Sequence, residues 1–69
     1  KMNQSNLEKL FYYIKSYNRF INVELINQDQ NYYYISLNGG YLTEININSL
    51  NALNDIKLIF KAKDIINNY

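Results

Sequence analysis

Asn38-Gly39-Gly40 stands between two segments that alternate apolar and polar residues, and it constrains the fold more than any other feature of the chain. Asn beside Gly is a strong hairpin signal, because the backbone there must reach positive φ and Gly does so without a Cβ clash. The preceding segment, 32–37, puts Tyr33, Ile35 and Leu37 on one side. The following segment, 41–47, puts Thr43, Ile45 and Ile47 on one side and Leu42, Glu44 and Asn46 on the other. Period-two patterning of this kind belongs to half-buried strands. Loop length then sets the register. A two-residue Gly39-Gly40 loop would oppose Ile35 to Glu44 and mix the faces. A three-residue loop over 38–40 opposes Leu37 to Tyr41, Ile35 to Thr43 and Tyr33 to Ile45. In that loop Gly40 is expected in the left-handed position of a bulged turn.

Residues 20–26 alternate as well. Ile21, Val23 and Leu25 point one way, and Asn22, Glu24 and Ile26 the other. Residues 27–31 are all polar and read as a turn. Matching the apolar faces places Val23 opposite Ile35 and Glu24 opposite Tyr34. Glu24, Tyr34 and Glu44 then form one row across the outer face of a three-stranded meander. Ile26 and Tyr32 flank the row on one side, Ser36 and Leu42 on the other.

Helical spacing governs both ends of the chain. Over 5–17, Leu7, Leu10, Phe11, Ile14 and Tyr17 recur at i, i+3, i+4, i+7 and i+10 and make one apolar stripe. Ser5 and Glu8 have the spacing of a capping box. Asn18 is the expected stop, since Asn tolerates the left-handed conformation. A second helix is expected over about 49–67, capped by Asn48 or Ser49, with Asn54, Lys57, Lys61 and Asp64 as its polar stripe. The rival for 56–63 is a strand, because those residues alternate with one exception. The expected fold is thus a single α+β domain over 1–69, in the order α-β-β-β-α, with both helices on one face of the sheet.

A domain of 69 residues buries only about 60% of its unfolded surface and gains from a staple. The chain has no Cys and no His, which excludes disulfides, thiolate chemistry and the common zinc sites. A partner or a second copy is the staple that remains. The wide apolar girth of the last segment offers a surface for it. Leu58, Ala62, Ile65 and Ile66 lie away from Leu53, Ile56 and Phe60, so one set is expected to pack within the chain and the other to self-associate. Leu58, Ala62, Ile65 and Ile66 are the expected self-association set.

Catalytic machinery is sparse. The six carboxylates are scattered, and no two share i, i+3 or i+4 spacing. Glu24 and Glu44, two strands apart, would lie roughly 9–10 Å from each other. Gly39-Gly40 is not followed by the Lys-Ser/Thr of a phosphate loop, and Asp29 is too isolated in its turn for a calcium site. No enzyme activity, cofactor or metal is expected. No apolar run reaches the roughly 18 residues of a membrane span, and residues 2–6 are too polar for a signal core. A cytoplasmic location in a host cell is the expectation. Met2, the only methionine, reads as a natural start preceded by an added Lys1, the alternative being a piece of a longer protein. Asn, Ile, Lys and Tyr supply 13, 10, 6 and 8 residues, an A+T-rich codon usage frequent in phages and other mobile elements.

Charge is sorted along the chain. All seven basic residues, Lys1, Lys9, Lys15, Arg19, Lys57, Lys61 and Lys63, lie in the two ends, while 20–56 carries only Glu24, Asp29, Glu44 and Asp55. The middle is therefore −4 and the ends +5, within a total of +1. If ends and middle form different surfaces, the molecule has two faces of opposite sign. The outer sheet face, with Glu24, Ile26, Tyr32, Tyr34, Leu42 and Glu44, is the candidate partner-binding site. Tyrosine gives contact area at low entropy cost, and carboxylates favour a basic protein surface. The competing reading is a solvated face.

The element order, the Asn/Gly hairpin and the Asn/Ile-rich composition resemble small phage-encoded anti-CRISPR inhibitors that bind a type II nuclease. The resemblance is carried by Leu10 to Lys15 in the first helix, Val23 to Leu25 in a strand and Ile59 to Ala62 near the end. Those inhibitors are usually strongly acidic, which this chain is not, and no residue roles follow. The expected function is a non-enzymatic binding protein, an inhibitor or modulator from a mobile element. The alternatives are a small dimeric nucleic-acid-binding regulator using the basic helices and a homo-oligomerisation domain. With a single Arg, the main base reader, nucleic acid is the weaker of the partners.

Overall fold

Ser5 and Glu8 close the capping box that their spacing implies. Glu8 N donates to Ser5 Oγ at 3.2 Å, and Ser5 N donates to Glu8 Oε1 at 3.3 Å. In the computed structural model, which describes residues 5–69, they open helix α1 (Asn6–Tyr17). Met2 and Lys1, read above as a start and an added residue, lie outside the described residues. Leu10 and Ile14 are fully buried, with Leu7 and Phe11 packed beside them. Tyr17, expected on the buried stripe, is instead 52% exposed, and the Lys63 ammonium lies 6.0 Å from its ring centroid. The helix does stop at Asn18, but in extended rather than left-handed backbone (φ −149°). There Asn18 Oδ1 accepts from Phe20 N at 3.0 Å, an Asn side chain standing in for a backbone acceptor.

Three strands follow, β1 (Val23–Gln28), β2 (Tyr32–Leu37) and β3 (Tyr41–Asn46), as an antiparallel meander in the order β1-β2-β3. The β2–β3 register is the expected one: Leu37 pairs with Tyr41, Ile35 with Thr43 and Tyr33 with Ile45. The turn differs in detail. Positive φ falls on Asn38 (54°) and Gly39 (74°), not on Gly40. Gly40 N donates to Leu37 O at 3.1 Å. Two positive φ values inside an i→i+3 bond mark the primed turn that matches strand twist, for which Asn-Gly is the favoured pair. Asn38 also receives Asn22 N on Oδ1 at 2.8 Å, donates its own N to Asn22 O at 2.7 Å, and gives Nδ2 to the Tyr69 hydroxyl at 2.6 Å.

The β1–β2 register departs from expectation. Val23 pairs with Leu37, Glu24 with Ser36 and Leu25 with Ile35; the register then shifts, and Asn27 pairs with Tyr34. Ile26 is the extra residue of a β-bulge, which adds a residue to one strand and bends it. The two-residue displacement keeps apolar positions on the inner face, so burial alone does not distinguish the two registers.

The last segment is helical, not a strand, but it is broken. Asn46 Oδ1 accepts from Ser49 N at 2.9 Å and caps the short α2 (Ile47–Asn51). Asn54 Oδ1 accepts from Lys57 N at 2.9 Å and caps α3 (Asp55–Asn67). Each cap satisfies an orphan N–H that a first turn would otherwise expose. Asn54 is thus a cap, not a member of a polar stripe, and neither Asn48 nor Ser49 caps. The interior gathers Leu10 and Ile14 of α1, Ile35 and Leu37 of β2, Ile45 of β3, Leu50 of α2, and Leu58, Ala62 and Ile65 of α3, with Ile21. The sheet's inner face and the helices share this core. The whole is an α+β domain with α3 packed on α1. Asn6 Nδ2 ties α1 to α2 and to the link after it by donating to Leu50 O (2.8 Å) and Leu53 O (3.0 Å). Lys9 Nζ meets Asp55 Oδ1 at 3.3 Å.

Candidate functional site

The helices cover one side of the sheet and leave the other open. Strand alternation presents there Glu24 and Ile26 from β1, Tyr32, Tyr34 and Ser36 from β2, and Leu42, Glu44 and Asn46 from β3. Register orders them in rows. Glu24, Ser36 and Leu42 form one, and Asn27, Tyr34 and Glu44 the next. Ile26 on the bulge, Tyr34, Leu42, Thr43 and Glu44 line a shallow hollow. Ser36 is only 4% exposed, the low point between larger neighbours. Ile26 and Leu42 are 50% and 63% exposed.

The row Glu24/Tyr34/Glu44 is therefore not formed as expected. Tyr34 and Glu44 are direct neighbours, but Asn27 takes the place of Glu24, which moves one row away beside Ser36. The bulge and the register shift are the cause. Two interstrand steps combined with two residues along the strand put the Glu24 and Glu44 backbones about 12 Å apart. The carboxylates frame the hollow from two corners rather than facing each other across one residue.

Asp29, too isolated in sequence for a calcium site, organises the end of this face. Its Oδ1 accepts from Asn31 N and Tyr32 N at 2.8 Å each, and its Oδ2 accepts the Tyr34 hydroxyl at 2.7 Å. The legible signal is Asp two and three residues ahead of amides in a tight turn, the Asx-turn pattern. The Tyr34 hydroxyl bond, followed by the two amide bonds, holds the Asp29 carboxyl below its usual range. The same bond, with some desolvation and the nearby carboxylates, pushes the Tyr34 phenol up to about 12. Tyr34 is thus a neutral anchor fixed from its tip, and Tyr32 leans beside it at 6.4 Å between ring centroids. Glu24, Asp29 and Glu44 supply negative charge, and no Lys or Arg lies on any of the strands.

The self-association set is placed elsewhere. Leu58, Ala62 and Ile65 are 0%, 1% and 5% exposed within the single chain, and Ile66 packs half-buried against them. Their i, i+4, i+7 spacing forms the stripe that α3 turns toward the core, so they cannot also form a surface. The stripe left outside is the other one: Ile56 is 65% exposed and Phe60 63%. Leu53, Ile56, Lys57, Phe60, Lys61 and Asp64 line a second shallow hollow there.

Among the described residues no three His, Cys, Asp or Glu side chains come close enough to hold a metal ion, and no helix is long and apolar enough to cross a membrane. The sheet face offers shape, apolar contact and negative charge. Fold and face together define a small α+β domain with an open acidic sheet. Compared with family models, curated proteins and solved structures, the chain finds no match.

Proposed function

We propose that the protein is a non-enzymatic binding protein whose open sheet face docks on a basic surface of a partner protein. One observation carries the reading: Ile26 and Leu42, half or more exposed, border a hollow around a fixed Tyr34, and the ionised side chains around it are all carboxylates. Apolar contact supplies affinity there, and the charges select the partner and speed the encounter. The mobile-element reading rests on the resemblance to anti-CRISPR inhibitors, and it makes a type II CRISPR nuclease, in a host cytoplasm, the first target to test.

Two measurements bear on this. Binding of the purified protein to such a nuclease should weaken with salt and be lost in Leu42→Lys/Glu44→Lys. A tight complex unaffected by these changes would remove the sheet face as the site; no binding would remove the nuclease as the target. Affinity for duplex DNA should be weak. Sub-micromolar, sequence-selective binding at physiological salt would bring the nucleic-acid regulator forward instead.

A further inference from the structure

The chain order of charge becomes a spatial order. Lys9 and Lys15 lie in α1 and Lys57, Lys61 and Lys63 in α3, whereas Glu24 and Glu44 lie in the sheet and Asp29 in the turn between β1 and β2; Asp55, the fourth acid of the middle, opens α3. The outward side of α3 and the outer sheet face are two different sides of the molecule, and they meet at the edge of β3, where Glu44, Leu53 and Lys61 line one hollow. Each is an apolar patch bordered by charge of one predominant sign. On the sheet, Ile26 and Leu42 lie among Glu24, Asp29 and Glu44. On α3, Ile56 and Phe60 lie among Lys57 and Lys61, with Asp64 beside them, and Lys63 stands on the Tyr17 side of the same helix. These are the two complementary halves of a single interface, carried on two sides of one molecule.

We propose that the protein associates with itself head to tail, the outer sheet face of one copy seating on the Ile56/Phe60 face of α3 in the next. Charge selects this arrangement over the symmetric ones. Pairing sheet face to sheet face would bring carboxylates together, and pairing α3 to α3 would bring lysines together. Like charges opposed across an interface cost more than either patch gains. A contact between two different patches is heterologous, so copies add in a row, or in a ring where the rotation closes. The contact occupies the same sheet face as the partner site proposed above, so association would mask that site at high concentration. It does not need a foreign partner, and its test involves none.

The test is a mixing experiment on two variants that alter only exposed side chains. Ile26→Lys/Glu44→Lys spoils the sheet face, and Lys57→Glu/Phe60→Glu spoils the α3 face. Sedimentation of the wild-type chain should show mass growing with concentration in about 0.01 M salt and collapsing to monomer near 1 M, as the Debye length falls from roughly 30 Å to roughly 3 Å. Each variant alone should keep its circular dichroism and associate at least about tenfold more weakly, a loss of the size that like charges impose. Mixed in equal amounts, each variant still offers the face the other lacks, so they should form a one-to-one complex and nothing larger. A wild-type chain that stays monomeric at high micromolar concentration in low salt overturns the proposal. So does association lost in only one of the two variants, which means a symmetric contact, or variants that fail to complement when mixed. If a variant unfolds, Glu44→Gln and Lys57→Gln replace the pair, and each must then shift the wild-type association midpoint to higher concentration.

Discussion

Tyr34 spends its hydroxyl on Asp29, and the two titrations follow. The Asp29 carboxyl is held low, so its contribution to stability is fully present above the ordinary value of 3.8 and is lost as pH falls through the folded-state value. The Tyr34 phenol is pushed up to about 12, so its contribution is present below the ordinary 10.0 and is lost as pH rises through about 12. Tyr34→Phe should leave the fold intact and move the Asp29 carboxyl back up, read from its side-chain carbon shift across an acid titration. An unchanged Asp29 midpoint would mean that the two backbone amides alone hold it. A second prediction separates the glycines. Gly39 has φ +74°, whereas Gly40 does not, and a Cβ on Gly40 meets nothing within 4 Å. Gly39→Ala should cost about 1–2 kcal/mol for left-handed backbone, and Gly40→Ala almost nothing, in denaturant melts. Equal effects would undo the turn assignment.

Helix α3 begins where a side chain makes it begin. Asn54→Ala removes the acceptor for Lys57 N and should lower stability by about 1 kcal/mol, while Asn54→Asp should hold it. Chemical denaturation of the three proteins decides this. Much at this level was legible in the sequence. The Ser5/Glu8 box, the span of β2 and the β2–β3 register all follow from local spacing and loop length, which need no knowledge of the rest of the fold. The bulge was harder. Leu25-Ile26 breaks the alternation of its strand, and two adjacent apolar residues there are a bulge's signature, but face-matching alone accepts either register. The break between α2 and α3 was masked because Leu50 and Leu53 continue a helical apolar pattern across it. The Asn54-Asp55 pair, a cap with an acidic first turn, is the start signal inside that pattern. The acidic sheet face was readable as a set of residues. Its arrangement was not, because the bulge decides which carboxylate stands beside Tyr34.

At the scale of the whole molecule, one core has to do everything. A chain of this length holds itself by only about 3–10 kcal/mol. Leu58, fully buried in α3, should lose about 2–5 kcal/mol as Leu58→Ala, a large part of that total, read as a lower denaturant midpoint by circular dichroism. Ile65→Lys should unfold the chain rather than dissociate an oligomer, because the side chain faces the interior and not a neighbour. A folded, monomeric Ile65→Lys protein would show that α3 turns a different side inward. That same pairing of α1 with α3 also sets a timetable. On a ribosome, α1 emerges first, with Leu10 and Ile14 exposed and nothing yet made for them to rest against. Helix α3 begins about 40 residues later, a wait of some 2–8 s at the usual roughly 5–20 residues per second. The hairpin of β2 and β3 can form in microseconds once it is out, but it cannot close the interior without α3. Each newborn copy therefore carries α1 unpaired for seconds, the interval in which a chaperone or a neighbouring nascent chain has access to it.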